Sequence, residues 1–438
     1  MDTKYIKSIE RYFSQTLQGD IYTYPTDQQL KTSEISQWRQ IVWDAWKMAN
    51  SGLKEDKLPP LSALSGDCPG LWPLPDTLEP SASMPFYWGI KGDTRPTDGW
   101  PLFLYLHGSG PKEIEWSTGL SLCSQFDDSP SAYFIPQIPN EGSYYRWWQR
   151  SKQFAWERLF RQAMVSGDID PDRLYVLGVS EGGYGSQRLA AFYADYLAAA
   201  GPMAGGEPLR NAPAENCSNL AFLLRTGAQD IAFARNTLTQ AAANRFESLQ
   251  SIYPGQFVHL IELIPGHGHR IDYFSTTPWL SQHVRNPYPR HVMWEDFAID
   301  GRRRPGFYNL KVDSRPSGDA ENRTFYEMTI TGNKIVLRAE HVEYVTTKRE
   351  PKWGIEVDFD RHYTKLNEGR MTLYLCPELI DLNEKVQLTV NGRQVFHGKV
   401  CPNVRHIVNS CATFFDKRRL YPAAIEVDFS QTGGEDVH

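Results

Sequence analysis

The chain reads as an α/β protein with a doubly wound, mainly parallel sheet, followed by an all-β, sandwich-like region. Three observations predict this. Short apolar runs alternate with helical patterns between about residues 84 and 290. One run ends in a glycine-flanked serine and passes directly into a helical pattern. From about residue 300 the texture changes to short β-branched or alternating runs.

The 438 residues exceed one ordinary core, which predicts two domains. With 41% hydrophobic and 22% charged residues the chain is globular. A net charge of −6 without a basic run excludes nucleic acid as the main partner. The 13 Trp, 22 Tyr and 21 Phe suit a surface that stacks on sugars, although most such rings belong to a core. No stretch approaches transmembrane length, so membrane insertion is not expected. Met1 to Gln15 is polar and amphipathic, unlike a signal peptide. Six cysteines, at 68, 123, 217, 376, 401 and 411, show no C-x-x-C spacing. That argues against a zinc site, and their even number permits disulfides. Nothing in the pattern sets an oligomeric state.

Residues 1–83 read as a helical lead-in and loop. Trp38, Ile41, Val42, Ala45 and Trp46 form an apolar stripe that packs on the main domain. Pro59-Pro60 ends it, and 61–83 reads as loop. Residues 84–299 hold the α/β domain. Its strands are expected at 84–90, 101–106, 132–138, 174–177, 198–203, 220–225 and 257–264. Helices are expected at 149–165, 186–197 and 232–251, and Asp170-Pro-Asp-Arg173 reads as a turn. Residues 300–438 form the β region, with runs at 307–312, 327–330, 334–339, 354–359, 370–375 and 386–390. Asn391-Gly392 is a hairpin signal, and the tail from Gln431 reads as loose.

The chemistry concentrates at Gly178-Val179-Ser180-Glu181-Gly182. A serine on a sharp strand-to-helix turn is held in a strained backbone, and the flanking glycines relieve the crowding. The Glu181 N–H, at the helix start, then points to where an oxyanion would form. An ordinary serine in a glycine-rich turn is the bland alternative. A serine nucleophile needs a base and an orienting acid. Asp230 follows one strand end and His269 the next, so both reach the same sheet edge. Asp230 is favoured over Glu207, Glu262 and Asp272, with a helix N-cap as its bland role. His269 is favoured over His267 because Pro-Gly-x-Gly makes a tight turn before it, and the other histidine is a bystander. A buried strand ending in His107-Gly108-Ser109-Gly110 offers a second oxyanion donor from Ser109 and Gly110, with His107 structural. Tyr145, Arg146 and Trp147 follow a strand and so fall near the same edge. There the rings would stack on sugars and Arg146 would pair with a carboxylate. The alternative is that the tryptophans begin a helix and fill the core.

The set YLHGSG, GVSEGGYG, GAQD and PGHGH resembles bacterial serine esterases of the α/β-hydrolase superfamily, near the dienelactone-hydrolase-like and polyhydroxybutyrate-depolymerase-like groups. The resemblance covers about 85–290. Dienelactone hydrolases proper use cysteine where this chain has Ser180, so their substrate is not implied. The downstream VQLTVNGRQVFHGKV stretch resembles an appendage of esterases from polysaccharide-degrading bacteria, gut Bacteroides among them, including pectin methylesterases of this fold. The resemblance implies a cofactor-free, metal-free serine esterase acting on an ester-decorated polysaccharide or oligosaccharide. The favoured case is a galacturonate methyl ester. Acetyl or feruloyl esters of xylan, a serine peptidase, and a non-catalytic carbohydrate-binding protein are the alternatives. A periplasmic or secreted location is expected, with the signal peptide outside this sequence, and a cytoplasmic one stays open.

Overall fold

The computed structural model describes residues 3–20, 22–318 and 322–432. Two helices open the chain, α1 (Thr3–Leu17) and α2 (Ile35–Gly52). The large sheet then runs β1 (Gly70–Pro73), β2 (Ser83–Lys91), β3 (Trp100–Leu106), α3 (Lys112–Gln125), β4 (Ser131–Pro136) and α4 (Arg150–Ser166). It continues with β5 (Ile169–Val179), α5 (Glu181–Tyr193), β6 (Ala199–Met203), β7 (Ala221–Gly227), α6 (Arg235–Ile252), β8 (His259–Ile264) and α7 (Thr276–Leu280).

Strand order in this sheet is β1-β2-β4-β3-β5-β6-β7-β8. Strands β3 to β8 are parallel, and β2 is antiparallel to its neighbours β1 and β4. This is the doubly wound, mainly parallel sheet that the sequence predicts. The order reverses at β3, because β4 lies on one side of it and β5 on the other. Ligand crevices form at such switch points, beyond the carboxyl ends of the strands. Both faces are covered. Leu102, Leu104, Leu106, Leu174 and Val176 face Trp156 and Leu159 of α4 and Leu189 of α5. Phe103, Tyr105, Tyr175 and Leu177 face the opposite way, toward Cys123 of α3 and Leu280 of α7. Two buried faces explain why these strands read as continuous apolar runs.

Downstream lie β9 (His291–Asp296), β10 (Gly306–Phe307), β11 (Leu310–Ser314), β12 (Arg323–Thr331), β13 (Lys334–Arg349), β14 (Glu356–Lys365), β15 (Arg370–Leu375), β16 (Val386–Val390) and β17 (Arg393–Gly398). Helix α8 (Val404–Phe414) and β18 (Ala423–Asp428) close the chain. They build a four-stranded sheet, β10-β11-β15-β18, and a six-stranded one, β17-β16-β13-β12-β9 with β14 beside β13. Trp294 stacks on Phe307 across them at 5.6 Å, and Tyr326 on Phe429 at 6.1 Å. The β16–β17 hairpin turns on Asn391 and Gly392 with φ of 48° and 87°, the left-handed pair that Asn-Gly supplies.

Several expectations need correction. Strand β1 lies inside the stretch read as loop. Strand β9 precedes residue 300 yet pairs with β12, so the second region begins earlier than the sequence implied. That β region also carries one helix, α8, which Asn403 caps by accepting the Arg405 N–H at 3.0 Å. The lead-in helices pack against α8 as well as the α/β domain. Tyr12 bonds Asn409 at 3.1 Å, and Arg39 grips Glu378. Residues 170–173 belong to β5, where the pairing with β3 shifts register, and the Asp172 N–H donates to Asp170 Oδ1 at 2.9 Å. Gln431 ends a single 3₁₀ turn and Thr432 is buried, whereas 433–438 lie outside the described residues. All six cysteines are free thiols. Among the described residues no helix is long and apolar enough to cross a membrane.

Candidate active site

Ser180 sits between β5 and α5 at φ 58° and ψ −113°, a conformation unfavourable for any side-chain-bearing residue. The turn survives because its neighbours lack side chains. A Cβ on Gly182 would lie 1.9 Å from the Leu106 carbonyl oxygen, and one on Gly178 would lie 2.4 Å from the Gly182 oxygen. The strand apolar run and the helix start thus meet at one half-buried serine. Glu181 is the first residue of α5, so its N–H has no intrahelical acceptor.

The loops after β7 and β8 meet this turn. His269 Nε2 is 3.0 Å from Ser180 Oγ, and His269 Nδ1 is 2.7 Å from Asp230 Oδ2. Asp230 is buried and accepts a second bond from Arg235 Nη1 at 2.9 Å. The Gln229 N–H donates to the His267 carbonyl at 2.9 Å, tying the two loops together. The His267 ring turns away, exposed, with Nδ1 3.0 Å from the Pro265 carbonyl. The sequence-selected serine, acid and base therefore stand in one hydrogen-bonded line, with His267 outside it.

The loop after β3 runs beside the serine, since a Cβ on Gly108 would lie 3.5 Å from Ser180 Cβ. His107 is structural. Its Nε2 accepts the Ile138 N–H at 3.1 Å, and its Nδ1 lies 2.8 Å from the Gly108 carbonyl. Burial lowers its pKa to about 4, so the ring stays neutral. The expectation for Gly110 fails, because its N–H donates to Glu115 Oε1 at 3.2 Å and is not free. Gly108 and Ser109 remain the loop positions next to the serine.

The aromatic stretch after β4 is also corrected. Trp147 is wholly buried and Tyr145 nearly so. Trp147 packs against Gly185 of α5 and donates Nε1–H to the His107 carbonyl at 2.9 Å. The Tyr145 hydroxyl lies 2.6 Å from the Gly108 carbonyl. Both brace the loop after β3 and offer no face to a sugar. Arg146 is half-exposed, 3.5 Å from Glu181 Oε2. Burial raises the Glu181 pKa to about 7, against the pull of Arg146 and with a push from Glu207. Its Oε1 is buried without a partner, as is the Tyr184 hydroxyl one turn along α5. Arg188 lies 3.9 Å over the Trp148 ring and grips Glu207 with two bonds. Arg235 and Glu115 escaped the sequence reading. Each follows its partner by five residues, but no motif marks such a pairing.

The chain matches no family model and no curated protein. Among solved structures it is similar to a thermostable esterase at 18% identity and a TM-score of 0.40, over 50% of this chain and 63% of that one, just under two thirds of its length. It is also similar to the S-formylglutathione hydrolase FrmB of Staphylococcus aureus, at 16% identity and a TM-score of 0.37, over 52% and 97% of the two chains. A feruloyl esterase module from Clostridium thermocellum matches at 14% identity and a TM-score of 0.32, over 52% and 92%.

Proposed function

We propose that the protein is a serine carboxylester hydrolase acting on an ester-decorated plant polysaccharide, with the methyl ester of a galacturonate chain as the favoured substrate. The observation that carries the enzymatic reading is the line from Ser180 Oγ through His269 to buried Asp230. Ser180 attacks the ester carbonyl while His269 Nε2 takes its proton. Asp230, fixed by Arg235, accepts the Nδ1–H bond, which selects the tautomer that leaves Nε2 free as base. The N–H of Glu181 and one from Gly108-Ser109 stabilise the oxyanion. Collapse expels the alcohol, protonated by His269, and water repeats the sequence on the acyl-enzyme. Each step uses side chains and backbone of this chain.

The substrate preference is supported by charge. Arg146 lies half-exposed against Glu181, the residue after Ser180, and its planar fork suits a neighbouring free carboxylate. Its pairing with Glu181 also offsets a carboxylate that would otherwise repel an anionic polymer. Methanol release from highly methylated pectin, run beside acetylated and feruloylated xylan and a peptide ester-amide pair, is the test. Activity on xylan esters with none on pectin overturns the substrate. Amide cleavage without ester preference overturns the class in favour of a peptidase.

A further inference from the structure

Strands β13 and β14 pair as far as Arg349 and Glu356, and the turn between them reaches the catalytic domain beside the acid loop. Val357 packs on Ala234 and Leu238, with Ile355 against the same cluster. Arg210 meets Glu356 at 3.6 Å. At the tip, the Trp353 ring lies 4.6 Å from that of Phe233, three residues beyond Asp230. The tip is fixed, since the Trp353 N–H donates to Glu350 Oε2 at 2.7 Å.

These rings are not an ordinary interdomain contact. Phe233 remains 46% exposed and Trp353 39%. The backbone bears a cost to present them, because Phe233 and Ala234 are both left-handed, at φ 53° and 57°. They also lie close to the chemistry. Arg235 bonds Asp230, and its guanidinium carbon is 5.2 Å from the Phe233 ring and 5.7 Å from that of Tyr184, one turn after Ser180. The surroundings are charged, with Lys352, Arg349 and Arg210 set among Glu350 and Glu356. Lys352 Nζ is 4.8 Å above the Trp353 ring, and Arg349 and Arg210 flank it through Glu356. An exposed aromatic pair with a lysine ammonium over one ring matches the apolar C–H face and the carboxylate of a uronic acid ring.

We propose that Phe233 and Trp353 form a distal subsite, one wall from each region of the chain, which stacks on a uronate ring of the substrate away from the scissile ester, with Lys352 pairing to its carboxylate. This rests on the reading of the substrate as a polyuronate ester. The experiment is calorimetric titration with an ester-free oligogalacturonide, and with a neutral xylo-oligosaccharide, in the Ser180→Ala background. Trp353→Ala is expected to weaken galacturonide binding about tenfold, while Trp353→Phe keeps most of it. Lys352→Ala is expected to weaken galacturonide alone. Galacturonide binding unchanged by Trp353→Ala overturns the subsite. Equal loss in Trp353→Ala and Trp353→Phe with a lowered melting midpoint also overturns it, in favour of a packing role. Xylo-oligosaccharide bound through Trp353 in preference overturns the uronate assignment. If the native enzyme releases no methanol from pectin yet binds galacturonide through Trp353, the subsite stands and the methyl-ester reading falls.

Discussion

Glu181 is a carboxyl held where water cannot reach one of its oxygens, beside the proposed nucleophile. Burial raises its pKa from 4.5 to about 7. Between those values the folded chain keeps a proton that the unfolded chain has lost, so stability falls as pH rises through that window. Glu181→Gln removes the dependence and is expected to gain about 1–3 kcal/mol at pH 8 and little at pH 4.5, by urea unfolding. An equal gain at both pH values contradicts the titration. The two histidines separate by geometry alone. His269→Ala is expected to cost at least about a thousandfold in ester turnover, and His267→Ala less than tenfold. Comparable losses would contradict the assignment. That Ser180, Asp230 and His269 come together was readable because each follows a strand end inside a recognisable local signature. Tyr145 and Trp147 misled because their environment is set by a distant residue. Gly185 leaves the space that Trp147 fills, and no local pattern announces it.

At the scale of elements, the elbow depends on close backbone approach more than on the serine. Gly182→Ala places a methyl 1.9 Å from the Leu106 oxygen, so β3 and α5 must separate. A loss of roughly 3 kcal/mol or more is expected, with activity falling in parallel, by denaturant unfolding and turnover. Near-native stability would show that the turn yields easily. The parallel strands were legible because burial on both faces writes an unbroken apolar run. Strand β9 was not, since its place is fixed by pairing with β12 about thirty residues later. Helix α8 carries a capping Asn403 and Val404, Ile407, Val408 and Cys411 at helical spacing, a signal present but short among strands.

Across the whole molecule, the two regions share one continuous core and a buried ionic network. Arg285 joins Asp172 of β5 at 2.9 Å to Asp416 beyond α8 at 2.7 Å. Arg419 links Asp416 to Asp195, and Arg304 reaches Asp195 at 2.5 Å. Burial alone would raise Asp416, yet Arg285 and Arg419 hold it at about 2. Its contribution is present above about pH 4 and is lost as pH falls toward 2. Arg419→Met strands Asp195 and Asp416 with fewer partners, so a loss of about 3–5 kcal/mol is expected. Calorimetry should show one cooperative transition for native and variant protein alike. Two resolved transitions would mean that the regions unfold independently. The sequence marked two regions by texture, but their mutual dependence rests on arginines and aspartates scattered over some 250 positions.

The central claim is that Ser180 carries out ester cleavage. Its most direct test is methanol release from highly methylated pectin by native protein and by folded Ser180→Ala under identical conditions. The account predicts steady release by the native chain, one carboxylate per methanol, and at least about a thousandfold less from the variant. A variant that releases methanol at the native rate would contradict it.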